Sequence, residues 1–344
     1  MKACILSVSG TVLTSDEKAL LADTQPWAVI LMGRSCQTRS QVQALVDDIW
    51  NALERPCLIF IDQEGGRVAR LKPPEWPEFP PLARFGELFE RDQASGLEAC
   101  HLNHYLLGVE LAALGIHADC APVVDLTIRG AHEIIGDRAF SGDPAVIGKL
   151  AAAAIRGLSD AGVASVIKHI PGHGRATADS HEELPIVSAD ANELAADFQA
   201  FAFVKAAPMA MTAHILYTAI DPNEPATTSS GVISDVIRQR IGFDGLLMSD
   251  DLGMKALGGT LGSRAERALT AGCDVVLHCS GFITDPAIIF AEMREVADRS
   301  QELSGKALSR ALAAENASCS GVVHDTDMAR HRLSLLMDRI GAAA

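Results

Sequence analysis

Eight short apolar runs, each separated from the next by polar or amphipathic sequence, set the strongest constraint on what this chain can fold into. The runs are Cys4–Val8, Ala28–Met32, Cys57–Ile61, His117–Val124, Val163–Ile167, Met209–Ala213, Gly245–Met248 and Asp274–Leu277. Each is apolar almost throughout, the pattern of parallel strands covered on both faces. The intervening stretches, among them Gln41–Leu53, Gln93–Leu114, Pro144–Ala161, Asn192–Ala206, Ser229–Ile241, Ser263–Ala271 and Asp285–Ala297, carry apolar residues at helical spacing. Strand and helix in alternation about eight times over predict an α/β fold of the (β/α)8 TIM-barrel type, with a doubly wound open sheet as runner-up. The 344 residues suit one such barrel, which needs roughly 250 plus insertions. No Ser/Gly linker or shift in composition divides the chain. Residues 1–344 therefore read as a single catalytic domain, with 301–344 as a helical extension, and the Pro-rich Lys72–Pro81 as a loop after the third strand.

Composition narrows the partners. Net charge is −15, and a surface that acidic argues against nucleic acid or an anionic membrane. No apolar run approaches the roughly 20 residues of a membrane span, and the N-terminal MKACILSVSG is too short in apolar length for a signal peptide. A soluble, cytoplasmic protein is the expectation. The eight cysteines, Cys4, Cys36, Cys57, Cys100, Cys120, Cys273, Cys279 and Cys319, are scattered without a CxxC pair and read as reduced thiols.

In a barrel the chemistry sits just past the strands. Here Asp62 to Arg70 follow the third run, Asp125 and then Asp137-Arg138 the fourth, Lys168 and His169 the fifth, His214 the sixth and Ser249-Asp250-Asp251 the seventh. An ion-pair network explains any one of these, but poorly explains five together. Arg70, Arg138 and Lys168 can donate several hydrogen bonds to a polyhydroxylated or carbonyl-bearing ligand, and Asp62 can accept from two neighbouring hydroxyls. Asp250 is a candidate nucleophile or general base and His181 a candidate general acid. Asp179, two residues before His181, can accept from its Nδ1–H and fix the tautomer, unless it merely caps backbone amides in a turn. Hydroxyl clamps, one carboxylate and one proton donor are what sugar chemistry requires. A zinc site on His169, His173 and His181, with Asp179 or Asp250, is the alternative. The tight Pro171-Gly-His-Gly turn and the lack of an HxH or HExxH pair weigh against it, so no metal and no cofactor are expected.

The segments IDQEGGRVARL (61–71), APVVDL (121–126), IGDRAFSGDP (135–144), KHIPGHG with DSHEELP (168–185), MTAHI (211–215) and MSDDLGM (248–254) resemble glycoside hydrolase family 3 over nearly the whole chain and in order. The resemblance is strongest to its single-domain bacterial β-N-acetylhexosaminidases, cytoplasmic enzymes of peptidoglycan recycling. It implies a retaining mechanism through a covalent glycosyl-enzyme on Asp250, with His181 as acid/base and Asp179 as its dyad partner. It further implies that Asp62, Arg70, Arg138, Lys168 and His169 hold an N-acetylglucosamine ring, and that the loop bearing the dyad moves, with Gly172 and Gly174 as hinges. Asp251 and His214 read as supporting groups. Arg175 departs from the pattern and reads as a charge near the dyad, able to lower the His181 pKa or to meet an anionic aglycone. The expected partner is a muropeptide-type amino sugar, and the expected state a monomer. Three competing functions remain: a phosphorylase on the same site, with Arg175 helping to bind phosphate; a metal-dependent hydrolase; and a catalytically dead sugar-binding protein. The intact set of Asp250, Asp179 and His181 disfavours the last.

Overall fold

Eight parallel strands close into a barrel in chain order: β1 (Lys2–Ser7), β2 (Pro26–Leu31), β3 (Ile59–Ile61), β4 (Ala118–Asp119), β5 (Ala164–Ile170), β6 (Met209–Thr212), β7 (Leu246–Asp251) and β8 (Val275–Leu277). The computed structural model describes residues 1–281, 283–318, 321 and 325–341, so Cys319 and the last three residues of the helical tail lie outside it. Each strand pairs with its sequence neighbour, and β8 closes on β1 through Cys4 opposite Val276 and Ile5 opposite Leu277. The fold is the (β/α)8 barrel expected from the alternation of runs, and all eight runs coincide with strands. The fourth is shorter than its apolar run, because Pro122 has no N–H to give to a ladder. The fifth and seventh are longer. β5 runs on through Lys168 and His169, and β7 through Asp250 to Asp251, so these four residues stand on the strands themselves rather than in the loops beyond.

Every residue of β2 and β5 is buried. Large side chains fill the space between layers, for example Trp27 against Phe60 with ring centroids 5.7 Å apart, each contributing about 2–3 kcal/mol by burial. Helices begin at polar caps. Asp143 and Asp285 each cap a helix that opens with proline, and Thr14 and Glu17 form a reciprocal capping box for helix Ser15–Thr24. That helix and Ala83–Arg91 are additions to the predicted set.

The chain after β8 does two different things. Helix Gly305–Ala317 lies across the N-terminal ends of the strands: Glu315 accepts from Trp27 Nε1 at 2.6 Å, Arg310 pairs with Asp274 at 3.0 Å, and Leu303 N–H bonds to Met1 O at 2.9 Å. Helix Thr326–Gly341 lies against the long helix Gln93–Ala112, through Arg332–Glu98 and Arg330–Glu110 ion pairs of 2.7 Å each. Among the described residues the seven cysteines are unpaired thiols, and no helix is long and apolar enough to cross a membrane.

Candidate active site

At the C-terminal ends of the strands a pocket of about 200 Å³ opens to solvent. Asp62, Arg70, Arg138, Lys168, His169, His181 and Asp250 all line it, with Ile30, Met211, Met254 and Leu277 as apolar wall. Asp179 stands behind His181. The eight residues singled out from the sequence are thus brought to one place.

Two carboxylates and three cations form its charged floor. Arg70 Nη2 donates to Asp62 Oδ2 at 2.6 Å, and Lys168 Nζ reaches Asp62 Oδ1 at 2.5 Å. Lys168 Nζ also lies 2.5 Å from Glu64 Oε1, and Arg138 grips Glu64 with two bonds of 2.8 Å, from Nε and Nη2. Burial alone pushes the Asp62 carboxyl up, but Lys168 and Arg70 hold it well below the ordinary aspartate range. Burial likewise pushes Glu64 up, and Arg138 and Lys168 hold it down. Both oxygens of Asp62 therefore already accept from the protein, and a ligand hydroxyl meets only the remaining lone pairs. Glu64, 1% exposed, was not among the expected site residues. Three cations around Asp62 alone would leave two positive charges without a carboxylate, and Glu64 supplies the second acid.

His169 is aimed by Asp125. Its Nδ1 lies 2.7 Å from Asp125 Oδ2, so Nδ1 carries the hydrogen, a carboxylate being acceptor only. Asp125 Oδ1 also accepts from the His173 amide at 2.6 Å. Burial pushes the Asp125 carboxyl up; His169 first, then His173 and its amide, bring it below the ordinary range. The same Asp–His pairing recurs in the loop beyond β5. His181 Nδ1 lies 2.8 Å from Asp179 Oδ1, which also accepts the His181 amide at 2.9 Å, so the carboxylate caps a turn and orients the ring at once. Against a burial effect that raises it, those two bonds hold the Asp179 carboxyl low.

Asp250 ends β7 facing this set. Burial pushes its carboxyl up; His169 first, then His214 and the Asp251 amide, which donates to Asp250 Oδ1 at 2.8 Å, bring it below the ordinary range. Asp251 turns the other way. Its Oδ1 accepts from the amides of Gly253 at 3.0 Å and Cys279 at 2.9 Å, and its carbonyl lies 3.0 Å from His214 Nε2. His214 is buried between that carbonyl and Thr227 Oγ1, 2.7 Å from its Nδ1. An anionic carboxylate on one wall and an imidazole with its own carboxylate on another can attack an electrophilic carbon and pass a proton to the group that leaves it.

One expectation changes. Arg175 is directed elsewhere: its Nε donates to the buried Asp197 at 2.6 Å and its Nη2 to Glu193 O at 2.8 Å, and it does not line the pocket. Gly174 is required by close approach, since a Cβ there would stand 2.1 Å from Leu126 O. At the histidines considered for zinc, His169 Nδ1 lies against Asp125, and among the described residues no group of three or more His, Cys, Asp or Glu side chains is placed to hold an ion.

The chain is similar to known proteins over most of its length. The family described as the glycosyl hydrolase family 3 N terminal domain matches residues 4–312. A β-hexosaminidase of Alkalilimnicola ehrlichii is 40% identical over 290 residues, 83% of this chain and 82% of its own; one of Bordetella avium is 37% identical over 281 residues, 80% of each. Among solved structures, NagZ of Neisseria gonorrhoeae in complex with N-trifluoroacetyl-D-glucosamine superposes with a TM-score of 0.82 at 27% identity, over 99% of this chain and 97% of that one. A glycoside hydrolase family 3 β-N-acetylglucosaminidase from Paenibacillus sp. FPU-7 gives 0.84 at 28% identity, over 98% of this chain and 66% of that one. With a family match across most of its length and relatives at this identity, the chain belongs to the glycosyl hydrolase family 3.

Proposed function

We propose that this protein is a retaining β-N-acetylhexosaminidase that releases terminal, non-reducing, β-linked N-acetylglucosamine, with muropeptide-type sugars in cytoplasmic cell-wall recycling as its substrates. The observation that carries the reading is the His181–Asp179 pair, bonded at 2.8 Å, at the wall of the pocket that holds the ionised Asp250. In this reading the Asp250 carboxylate attacks the anomeric carbon and forms the glycosyl–enzyme bond. The bond to the leaving oxygen breaks as His181, entering as imidazolium, protonates that oxygen. His181, now neutral, then takes a proton from water, whose oxygen displaces Asp250. Asp179 keeps the imidazolium oriented and balances its charge at each half-step. Asp62, Arg70, Arg138, Lys168 and His169 hold the ring's hydroxyl and carbonyl groups, and remote contacts of that kind supply the orientation that the reacting atoms need. The relatives named β-hexosaminidase and the neighbour bound to an N-acyl glucosamine support the acetamido sugar as the substrate class.

The test is turnover of an aryl β-N-acetylglucosaminide beside the matching aryl β-glucoside, with and without phosphate, by the wild type and Asp250→Ala. Release from the acetamido sugar alone, independent of phosphate and lost in Asp250→Ala, is expected. Preference for the plain glucoside overturns the substrate class. A phosphate requirement makes the enzyme a phosphorylase. Retention of the wild-type rate in Asp250→Ala removes the nucleophile assignment.

A further inference from the structure

Ser180 stands between the two members of the dyad, and it is the buried one. It is 2% exposed, against 22% for the side chain of Asp179 and 37% for that of His181. Both of its polar ends are engaged. The hydroxyl lies 3.3 Å from His173 Nε2, and the carbonyl accepts from the Ala256 amide at 3.2 Å. Each partner is itself fixed. The His173 amide donates to Asp125 Oδ1 at 2.6 Å, and its ring packs edge-on against His169 with centroids 5.3 Å apart. Ala256 belongs to the segment that follows Asp250, and the Arg264 guanidinium ties that segment down through the carbonyls of Leu252 at 2.6 Å and Met254 at 3.1 Å.

The buried ring of His173 is otherwise hard to account for. Its Nδ1 makes no hydrogen bond, and burial, then the neighbouring His169, pushes its pKa down to about 4, so it stays neutral. A buried imidazole with one nitrogen unsatisfied is costly. Its one side-chain hydrogen bond is to the serine that separates the dyad.

We propose that Ser180 and His173 are positioning residues for proton transfer. The His173–Ser180 bond and the Ser180–Ala256 bond pin the dyad's loop at its centre, between the element that carries the sugar-binding His169 and the segment that carries Asp250. The inference rests on the acid/base reading of His181. Loss of the hydroxyl leaves one pin, the Ala256 amide, about which the 179–181 peptide can rotate. His181 then stands off the leaving oxygen, while Asp250 and the sugar-binding residues stay in place. The cost therefore falls on substrates whose leaving group must be protonated.

The experiment measures kcat/KM, which reports the glycosylation step, for the dinitrophenyl and the methyl β-N-acetylglucosaminides. Ser180→Ala, His173→Leu, their double variant and His181→Ala are compared as full chains, with thermal unfolding as a check on folding. In Ser180→Ala the methyl glycoside is expected to lose about 10- to 100-fold and the dinitrophenyl glycoside less than about 3-fold. The double variant should fall no further than the worse single, since both remove one bond. Equal loss on the two substrates, no loss on either, or multiplying losses in the double variant overturn the proposal. If His173→Leu does not fold, Ser180→Ala decides alone on the same two substrates. His181→Ala separates the two levels. Selective loss there without selective loss in Ser180→Ala sinks the positioning role only, and equal loss in His181→Ala sinks the acid/base reading with it.

Discussion

Replacing Glu64 by Gln tests whether the charged floor is built as described. The change keeps volume and shape but removes the negative charge that Arg138 and Lys168 share. The Gln carbonyl can still accept on one side, but its NH2 replaces the other acceptor, so part of the set of two Arg138 bonds of 2.8 Å and one Lys168 contact of 2.5 Å is lost, within a side-chain cluster that is 1% to 10% exposed. Removing one partner of a buried ion pair costs about 3–5 kcal/mol. Lys168 keeps Asp62, and Arg138 keeps the Ile134 carbonyl at 2.9 Å, so the low end, about 3 kcal/mol, applies. With an unfolding entropy of about 2.1 cal/mol/K per residue over 344 residues, that lowers Tm by about 4 °C. Activity should fall further in proportion. Arg138 and Lys168 both line the pocket, and a displacement of order 1 Å there costs about 100-fold in kcat/KM. Calorimetry and aryl N-acetylglucosaminide turnover read the two effects separately. A Tm within about 1 °C of wild type together with unchanged kcat/KM would mean that the two cations need no second carboxylate, and would refute the account of the floor.

Two further predictions concern stability and the turn before the dyad. Burial pushes His104, like His173, down from the usual histidine value to about 4. In the unfolded chain such a group takes a proton near pH 6.5, and in the folded chain only near 4. The folded state therefore loses up to about 3 kcal/mol per group as pH falls through that window. The depressed carboxylates of Asp62, Glu64, Asp125, Asp179 and Asp250 contribute their own loss only at lower pH, below the ordinary carboxylate range. His104→Gln should flatten the pH dependence of the urea midpoint between about pH 6.5 and 4; slopes identical to wild type would contradict this. Gly174→Ala places a Cβ 2.1 Å from Leu126 O and must displace the turn leading to the dyad. A loss of about 100-fold in kcat/KM is expected, and a variant with wild-type kinetics would show that the turn yields.

The strand positions were readable because each barrel strand is buried on both faces and leaves an uninterrupted apolar run. Their ends were not, because β5 and β7 carry charged residues inside the ladder, where apolar content stops but hydrogen bonding continues. Lys168 and Asp250 thus read as loop residues. Helix Ser15–Thr24 announces itself by Thr14 and Glu17 at capping-box spacing, a signal stronger than its apolar face. The pocket-facing groups were legible because titratable residues at the mouths of several buried strands are costly to desolvate unless they meet a ligand or one another. The groups behind them were not. Glu64 meets Arg138 and Lys168, and Asp125 meets His169, neighbours distant in sequence, and a single sequence does not show which of two nearby acids faces inward. Arg175 shows the converse: a charge beside the dyad in sequence is directed to Asp197 in space.

Helix Gly305–Ala317 and Leu303 just before it close the end of the barrel opposite the pocket, joining the starts of β1 and β2 to residues before β7, through Arg310 and Asp244 O, and before β8. This lacing therefore sits at the opposite end of the barrel from the chemistry. Substitutions along this helix change how tightly the barrel ends are laced without touching the atoms that meet sugar. The lower face can drift or be re-engineered for temperature while the upper keeps its specificity, and the two properties can be selected one at a time.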